Sequence, residues 1–135
     1  MVDDKPRVHV VVLYDPATHP TQQDWMSMIY SIEHQDYESV DLTLVDFPTG
    51  SSLMDRLKAT LEAVEKYPAS FVMFPMLGSL RPRDWPPDTV SMALEMFPNE
   101  NVRGLATIYS QAGMVEHIQR GIDQVSASTE TGDEE

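Results

Sequence analysis

The stretch Val8-His9-Val10-Val11-Val12-Leu13 decides the fold of this chain. Its side chains are almost all apolar and mostly β-branched, a pattern typical of a strand that is buried on both faces of a sheet. The strand is predicted to end at Tyr14-Asp15-Pro16. A strand that is covered on both faces needs helices on each side, so the following segments are expected to supply them.

Helical periodicity follows this strand and recurs along the chain. The first predicted helix has Thr21 as its N-cap and carries on one face Trp25, Met28, Ile29 and Ile32. The later helices repeat the pattern: Ser51 or Ser52 caps one with Leu53, Leu57, Leu61 and Val64 on one face, Asp88 begins one with Val90, Leu94 and Phe97, and the last carries Val115, Ile118, Ile122 and Val125. Residues 41–47, 70–74 and 102–109 are predicted strands between them.

The predicted order is β-α-β-α-β-α-β-α, which is typical of an α/β fold. We therefore predict a three-layer, Rossmann-like domain with a mainly parallel sheet of about four strands, joined by right-handed crossovers. This single domain is expected to span residues 1–125, and residues 126–135 read as an acidic, disordered tail. Ligands of such sheets bind at the carboxyl ends of the strands. The loops expected there are residues 14–22, 47–52, 75–87 and 110–113.

The composition narrows the classes of function. The 135 residues include 9 Lys+Arg and 22 Asp+Glu, a formal net charge of −13, and 41% are hydrophobic, which is enough for a core. The acidity argues against nucleic-acid binding, which needs clustered Lys and Arg. The absence of cysteine excludes disulfides and thiolate metal sites. With no signal-peptide pattern and no long apolar run, we expect a cytoplasmic protein without a membrane span.

Four segments within residues 8–109 share an order and spacing with a known family. They are Ser31-Ile32-Glu33-His34-Gln35-Asp36-Tyr37, Leu42-Thr43-Leu44-Val45-Asp46-Phe47-Pro48-Thr49-Gly50-Ser51, Phe71-Val72-Met73-Phe74 and Asp84-Trp85-Pro86-Pro87-Asp88-Thr89-Val90. In turn they resemble, in family 2 glycosyltransferases, the S-(I/L)-x-x-Q-x-Y helix end, the E-(I/V)-I-V-V-D-D-G-S strand, the strand before the metal-binding Asp-x-Asp, and the D-W-x-x-P-D-x-L that follows it. The resemblance implies the nucleotide-binding half of a GT-A fold.

The resemblance also implies a site for a sugar nucleotide. In that family, carboxylates after the first and second strands hold the base and ribose, and Asp15 and Asp46 lie at those positions here. Arg56 lies near an arginine that is common in the family's next helix. The family's Asp-x-Asp binds a divalent cation, Mn²⁺ or Mg²⁺, which neutralises the diphosphate leaving group.

The chain departs from the family pattern where the chemistry would occur. The Asp-x-Asp position reads Pro75-Met76-Leu77-Gly78, without a carboxylate, and Phe47 replaces the second acid of the D-D-G-S pattern. The next carboxylate is Asp84, which is the candidate metal ligand. Arg81 and Arg83 are candidates to bind the diphosphate in place of a metal, because arginine binds phosphate in a bidentate way.

Two functions from different classes remain open. The first is a glycosyltransferase-like domain that is catalytically degenerate and acts as a binding or assembly component, such as an accessory viral protein, through a protein partner or self-association. The second is a minimal active transferase that uses a UDP- or GDP-sugar, with Asp46 on the nucleotide and Asp84 or the Arg81/Arg83 pair on the diphosphate. The 135 residues contain no counterpart of the family's acceptor-binding half, which carries the general base. No catalytic residue is therefore predicted.

Other site patterns find no support in the sequence. The four histidines, His9, His19, His34 and His117, lack the spacing of metal ligands. The segment Thr49-Gly50-Ser51-Ser52 has neither a nucleophile-elbow pattern nor a P-loop lysine, so its serines are predicted to cap a helix.

Overall fold

The computed structural model describes residues 6–14, 22–47, 50–75 and 83–132. The elements are β1 (Val8–Tyr14), α1 (Gln22–Glu33), β2 (Val40–Asp46), α2 (Leu53–Glu65), β3 (Phe71–Pro75), α3 (Thr89–Met96), β4 (Asn101–Val102), β5 (Ala106–Ser110) and α4 (Gln111–Gly132). In these residues the strands form a five-stranded sheet in the order β2-β1-β3-β5-β4. None of the helices within the described ranges is long and apolar enough to cross a membrane.

The strand predicted to be buried on both faces is β1, and it lies in the middle of the parallel part of the sheet. β1 pairs in parallel with β2 over all seven of its residues and with the first three residues of β3. Its valines Val8, Val10, Val11 and Val12 are fully buried. The α/β class is thereby confirmed, and the fold is compatible with a Rossmann-like arrangement.

The far side of the sheet differs from the prediction. Residues 102–109 were expected to form one parallel strand, but they contain the end of β4, a turn and most of β5, which is antiparallel to both β3 and β4. Arg103 and Gly104 have positive φ angles of 57° and 69°, and the Leu105 N–H donates to the Val102 carbonyl at 2.8 Å. Left-handed residues favour such hairpin turns, so Gly104 reverses the chain. Across the residues that the structure describes, the sheet is therefore mixed and has five strands, not about four.

Each face of the sheet is covered by a pair of helices. α1 and α3 cover one face, where the buried cluster consists of Val8, Val10, Val12, Trp25, Met28, Ile32, Met73, Trp85, Val90, Ala93, Val102, Ala106 and Ile108. α2 and α4 cover the other face with Val11, Ala63, Val64, Val72, Met114, Ile118 and Ile122. Burial of a large apolar side chain contributes about 1.5–3 kcal/mol, so these two clusters are the main source of stability.

Two helix ends test the sequence prediction. Ser52 caps α2 as expected: its hydroxyl accepts the Asp55 N–H at 3.0 Å, and the Asp55 carboxylate accepts the Ser52 N–H at 3.4 Å. The predicted disordered tail begins differently, because α4 has 22 residues and continues through residues 126–132. This segment contains no proline, and the helix-ending residue Gly132 comes only at its end.

Candidate functional site

The carboxyl edge of the parallel strands is where an α/β sheet of this kind binds its ligands. Asp46 ends β2 at this edge. Because β5 is antiparallel, its first residue Ala106 pairs with Pro75 at the end of β3, which brings the β4–β5 turn to the same edge. For the same reason residues 110–113, which were predicted to lie at the ligand edge, lie at the opposite one, where Ser110 pairs with the first residue of β3.

The six predicted site residues divide into three groups. Asp15 and Arg81, like the cap residue Thr21, lie outside the described residues. Asp46 and Arg56 lie on β2 and α2, whereas Arg83 and Asp84 lie in the segment before α3.

Arg56 contacts an aromatic ring next to Asp46. Its guanidinium carbon lies 5.0 Å from the centre of the Phe47 ring, which is a cation–π distance. Phe47 is only 7% exposed, whereas Asp46 is exposed at the end of its strand. Phe47 stands where the family pattern has its second carboxylate, so Arg56 meets a ring at this position.

Arg83 lies against the β4–β5 turn. Its guanidinium donates to the Gly104 carbonyl at 3.5 Å, and the side chain is exposed. Since β1 and β3 separate β5 from β2, the turn is three strand spacings, or about 14 Å, from Asp46. Asp46 and Arg83 therefore lie at opposite ends of the carboxyl edge of the sheet.

Asp84 is bound to α1. Its two carboxylate oxygens accept the Ser27 hydroxyl at 2.8 and 2.9 Å. A Mg²⁺ or Ca²⁺ site needs several oxygen ligands within about 2.0–2.6 Å of the ion. In residues 6–14, 22–47, 50–75 and 83–132, no three His, Asp or Glu side chains converge in this way. The described residues therefore do not fit the cation that the family resemblance implies.

Further polar contacts follow the Ser27–Asp84 pair along the second half of α1 and just beyond its end. We call the whole set, formed between residues 27–36 and residues 84–91, the α1 joint. The Ser31 hydroxyl accepts the Trp85 N–H at 2.8 Å. The Asp36 N–H donates to the Pro87 carbonyl at 2.8 Å. Trp85 is 3% exposed, so the joint seats an indole ring in the core between α1 and α3.

Gln35 is the most connected side chain of the α1 joint. Its amide nitrogen donates to the carbonyls of Ser31 at 3.1 Å and Pro86 at 2.8 Å, and its amide oxygen accepts the Val90 N–H at 2.9 Å. The first and fourth segments of the family resemblance thus contact each other here. The residues that carry this part of the resemblance hold α1 against the chain that leads into α3.

A second glutamine forms a matching contact on the side of the sheet that α2 and α4 cover. The Gln111 amide nitrogen donates to the carbonyls of Val64 and Tyr67, both at 2.8 Å, and its amide oxygen accepts the Ala69 N–H at 3.2 Å. Beside it lies an open groove of about 980 Å³ between the α2–β3 loop and α4. Sequence reasoning missed this contact, because its partners are 42 to 47 positions away and no local pattern marks them.

His9 is a buried polar residue on the α2/α4 face. Its Nε2 lies 2.6 Å from the Thr43 hydroxyl, and its ring packs edge-on against Tyr67 with 5.2 Å between centres. Burial lowers the pKa of His9, although the nearby Val64 carbonyl opposes the shift. Within the described residues, Nδ1 has no partner in hydrogen-bond geometry. The histidine is therefore a neutral part of the strand face.

Asp88 begins α3 as predicted, as its N-cap residue, and its side chain ties α3 to the β4–β5 turn. It precedes α3, but its side chain makes no cap hydrogen bond. Its carboxylate accepts two bonds from the Arg103 guanidinium at 2.8 and 2.9 Å. These bonds lower the pKa of Asp88, because they favour the ionised carboxylate.

The structure distributes the predicted site residues among separate contacts. Asp84 meets Ser27, Arg56 meets Phe47, and Arg83 meets the β4–β5 turn. Neither protein-family models nor curated proteins nor solved structures give a significant match to this chain. The geometry of the chain is therefore the basis for assigning a function.

Proposed function

We propose that this chain is a glycosyltransferase-like domain that acts as a binding or assembly component and does not transfer a sugar. The observation that carries the proposal is the position of Asp84, the first acidic residue after the Asp-x-Asp position, which here has no carboxylate. Both of its oxygens accept the Ser27 hydroxyl. We infer that a carboxylate used in this way stabilises the loop and does not hold a cation that would neutralise a diphosphate.

The other charged residues support the same conclusion. A diphosphate in a protein site needs paired cations, since an unpaired buried charge is costly. Arg56 contacts the Phe47 ring, and Arg83 lies against the β4–β5 turn. The formal net charge of −13 further opposes the approach of an anionic ligand.

The GT-A-like topology is part of this proposal. It is supported by the order and spacing of the four resembling segments and by the direct contact between the first and the fourth. The α1 joint gives those segments a structural purpose that does not depend on catalysis. A chain that lost transfer activity would still need these residues to fold.

Calorimetric titration with UDP- and GDP-sugars, with and without Mn²⁺, tests the proposal. We expect no metal-dependent binding up to about 1 mM ligand, which corresponds to a binding free energy weaker than about −4 kcal/mol. The proposal is wrong if binding requires Mn²⁺, is abolished by Asp46→Asn and is retained by the control Glu95→Gln. That control removes one exposed charge from α3.

A further inference from the structure

The two outermost strands of the sheet, β4 and β2, differ in length. β4 forms one edge with two residues and is followed at once by the turn that Arg103 ties to Asp88. β2 forms the other edge with seven residues, and within the described part of the chain it pairs only with β1. A long unpaired edge strand is a template for another extended chain.

Alternate residues of β2 point their main-chain N–H and C=O groups towards the position that such a chain would occupy. The Val8 N–H donates to the Ser39 carbonyl at 2.9 Å, and Val8 is in register with Val40. In a parallel ladder, every second residue points both of its main-chain groups at the neighbouring strand. The odd-numbered residues of β2 therefore bond to β1, whereas Leu42 and Leu44 point their N–H and C=O groups away from the sheet.

The side chains beside this edge are suited to contact. Leu44 is 54% exposed, although its register partner Val12 is fully buried in the α1/α3 core. On the other face, a groove of about 490 Å³ runs between β2 and α2. It is lined by Thr43, Leu44, Val45, Asp46, Ala59, Glu62, Ala63 and Lys66.

The charges at the edge select the kind of partner. Asp46 and Glu62 line the groove against Lys66, and the exposed Glu38 precedes the strand. The whole chain has a formal net charge of −13. A second copy would bring acidic edges together, which is unfavourable. A segment that carries Lys or Arg would meet opposite charge.

We propose that the β2 edge binds an extended, basic segment of a partner protein by strand addition. The main-chain groups of Leu42 and Leu44 pair with the segment, an apolar side chain of the segment covers Leu44, and the basic side chains on its other face meet Glu62. This inference rests on the proposed role as a binding component and is independent of any sugar nucleotide.

Fluorescence anisotropy tests the proposal with a labelled peptide of alternating Lys and Val that has seven residues, the length of β2. We expect it to bind at least about tenfold more tightly than a Glu–Val peptide of the same length, and more weakly as salt is added. Leu44→Lys should weaken binding by about tenfold, since it adds a like charge at the contact. The matched control Leu53→Lys, at a leucine that is 61% exposed on α2, should bind as the unchanged chain does.

Amide hydrogen exchange gives a second readout on the unchanged chain. In the absence of peptide, the amides of Leu42 and Leu44 should exchange faster than those of Thr43 and Val45, because only the latter two bond to β1. Adding the Lys–Val peptide should slow exchange at Leu42 and Leu44. This alternation is a signature of strand addition, and it does not depend on any variant folding.

Several results would overturn the proposal. Absence of binding at about 1 mM peptide, or equal binding of the Glu–Val peptide, would remove the basic partner. Binding without slower exchange at Leu42 and Leu44 would place the peptide elsewhere. Self-association in sedimentation experiments that Leu44→Lys abolishes would show that a second copy occupies the edge. Mn²⁺-dependent binding of sugar nucleotides that Asp46→Asn abolishes would contradict the proposed loss of transferase chemistry and leave these peptide measurements unaffected.

Discussion

Two glutamines, one associated with each face of the sheet, use their carboxamides in the same way. Gln35, on the side of α1 and α3, bonds to the carbonyls of Ser31 and Pro86 and to the Val90 N–H. Gln111, on the side of α2 and α4, bonds to three main-chain groups between the end of α2 and the start of β3. A carboxamide can do this because it offers donors and an acceptor at once.

The two contacts differ in how far along the chain they reach. These side-chain bonds of Gln111 join groups at least 42 positions apart. One bond of Gln35 is local, to the carbonyl four residues before it. The Gln111 contact is therefore almost wholly tertiary, whereas part of the Gln35 contact extends its own helix. Removing the first should cost more stability than removing the second.

The largest effect is expected from Gln111→Ala. It leaves the Val64 carbonyl in the last turn of α2, and the Tyr67 carbonyl and Ala69 N–H in the loop that follows, without the Gln111 carboxamide, so the free energy of unfolding should fall by about 2–3 kcal/mol. Urea denaturation followed by circular dichroism measures this loss. Gln119→Ala, at an exposed glutamine of the same helix, is the control. Equal losses in the two variants would contradict a tertiary role for Gln111.

Gln35→Ala should lower the free energy of unfolding by a smaller amount, about 1–2 kcal/mol, because one of its three bonds is local. Glu33→Ala, at an exposed residue at the end of α1, is the control. The double variant with Gln111→Ala should show the sum of the two losses, since the two sites share no partner. A clear departure from additivity would mean that the two faces are coupled through the sheet.

Ser27→Ala tests the first contact of the α1 joint and should cost about 0.5–1 kcal/mol, because both groups are exposed. The same denaturation experiment measures it, with Ser126→Ala at an exposed position of α4 for comparison. Equal losses of unfolding free energy in the two serine variants would show that the bond between Ser27 and Asp84 does not stabilise the fold.

The smallest expected effect is on the pH dependence of the free energy of unfolding, and it arises from His9 on the α2/α4 face. Burial lowers the pKa of His9 from its usual 6.5, so the unfolded chain takes up a proton at a pH where the folded chain does not. The free energy of unfolding should therefore decline as the pH falls below about 6.5. His9→Gln should reduce this decline relative to the unchanged chain, whereas His117→Gln at an exposed histidine should not. An identical decline in both variants would be evidence against the assignment.

The sequence was sufficient to locate most strands and helices, because their signals are local. The valine-rich run of β1 and the spacing of Trp25, Met28 and Ile32 depend on neighbours within a few residues. The direction of β5 could not be predicted, since an apolar strand has the same pattern in either direction. Its reversal depends on the left-handed conformation at Arg103 and Gly104.

The candidate site was less predictable because its contacts are distant in sequence. The position of Asp84 after the Asp-x-Asp position predicts a metal ligand, but the hydroxyl that it binds, that of Ser27, lies 57 positions earlier in the chain. Gln35 stood within a recognised pattern, yet its bonding to Pro86 and Val90 spans more than fifty residues. The spacing of residues along the chain indicates which of them match a family pattern. Only the folded structure shows which groups those residues contact.

The length of α4 has a practical consequence for labelling. The Cβ position of Gly121 is 3.7 Å from the Leu57 methyl carbons, which places the middle of α4 beside the second turn of α2. The helix continues to Gly132, and at 1.5 Å per residue it runs about 10 Å past the start of α2. A fluorophore or purification tag on its last turns would therefore be carried towards the edge that holds Asp46. The start of β1 at Val8, in contrast, lies at the opposite edge, away from Asp46.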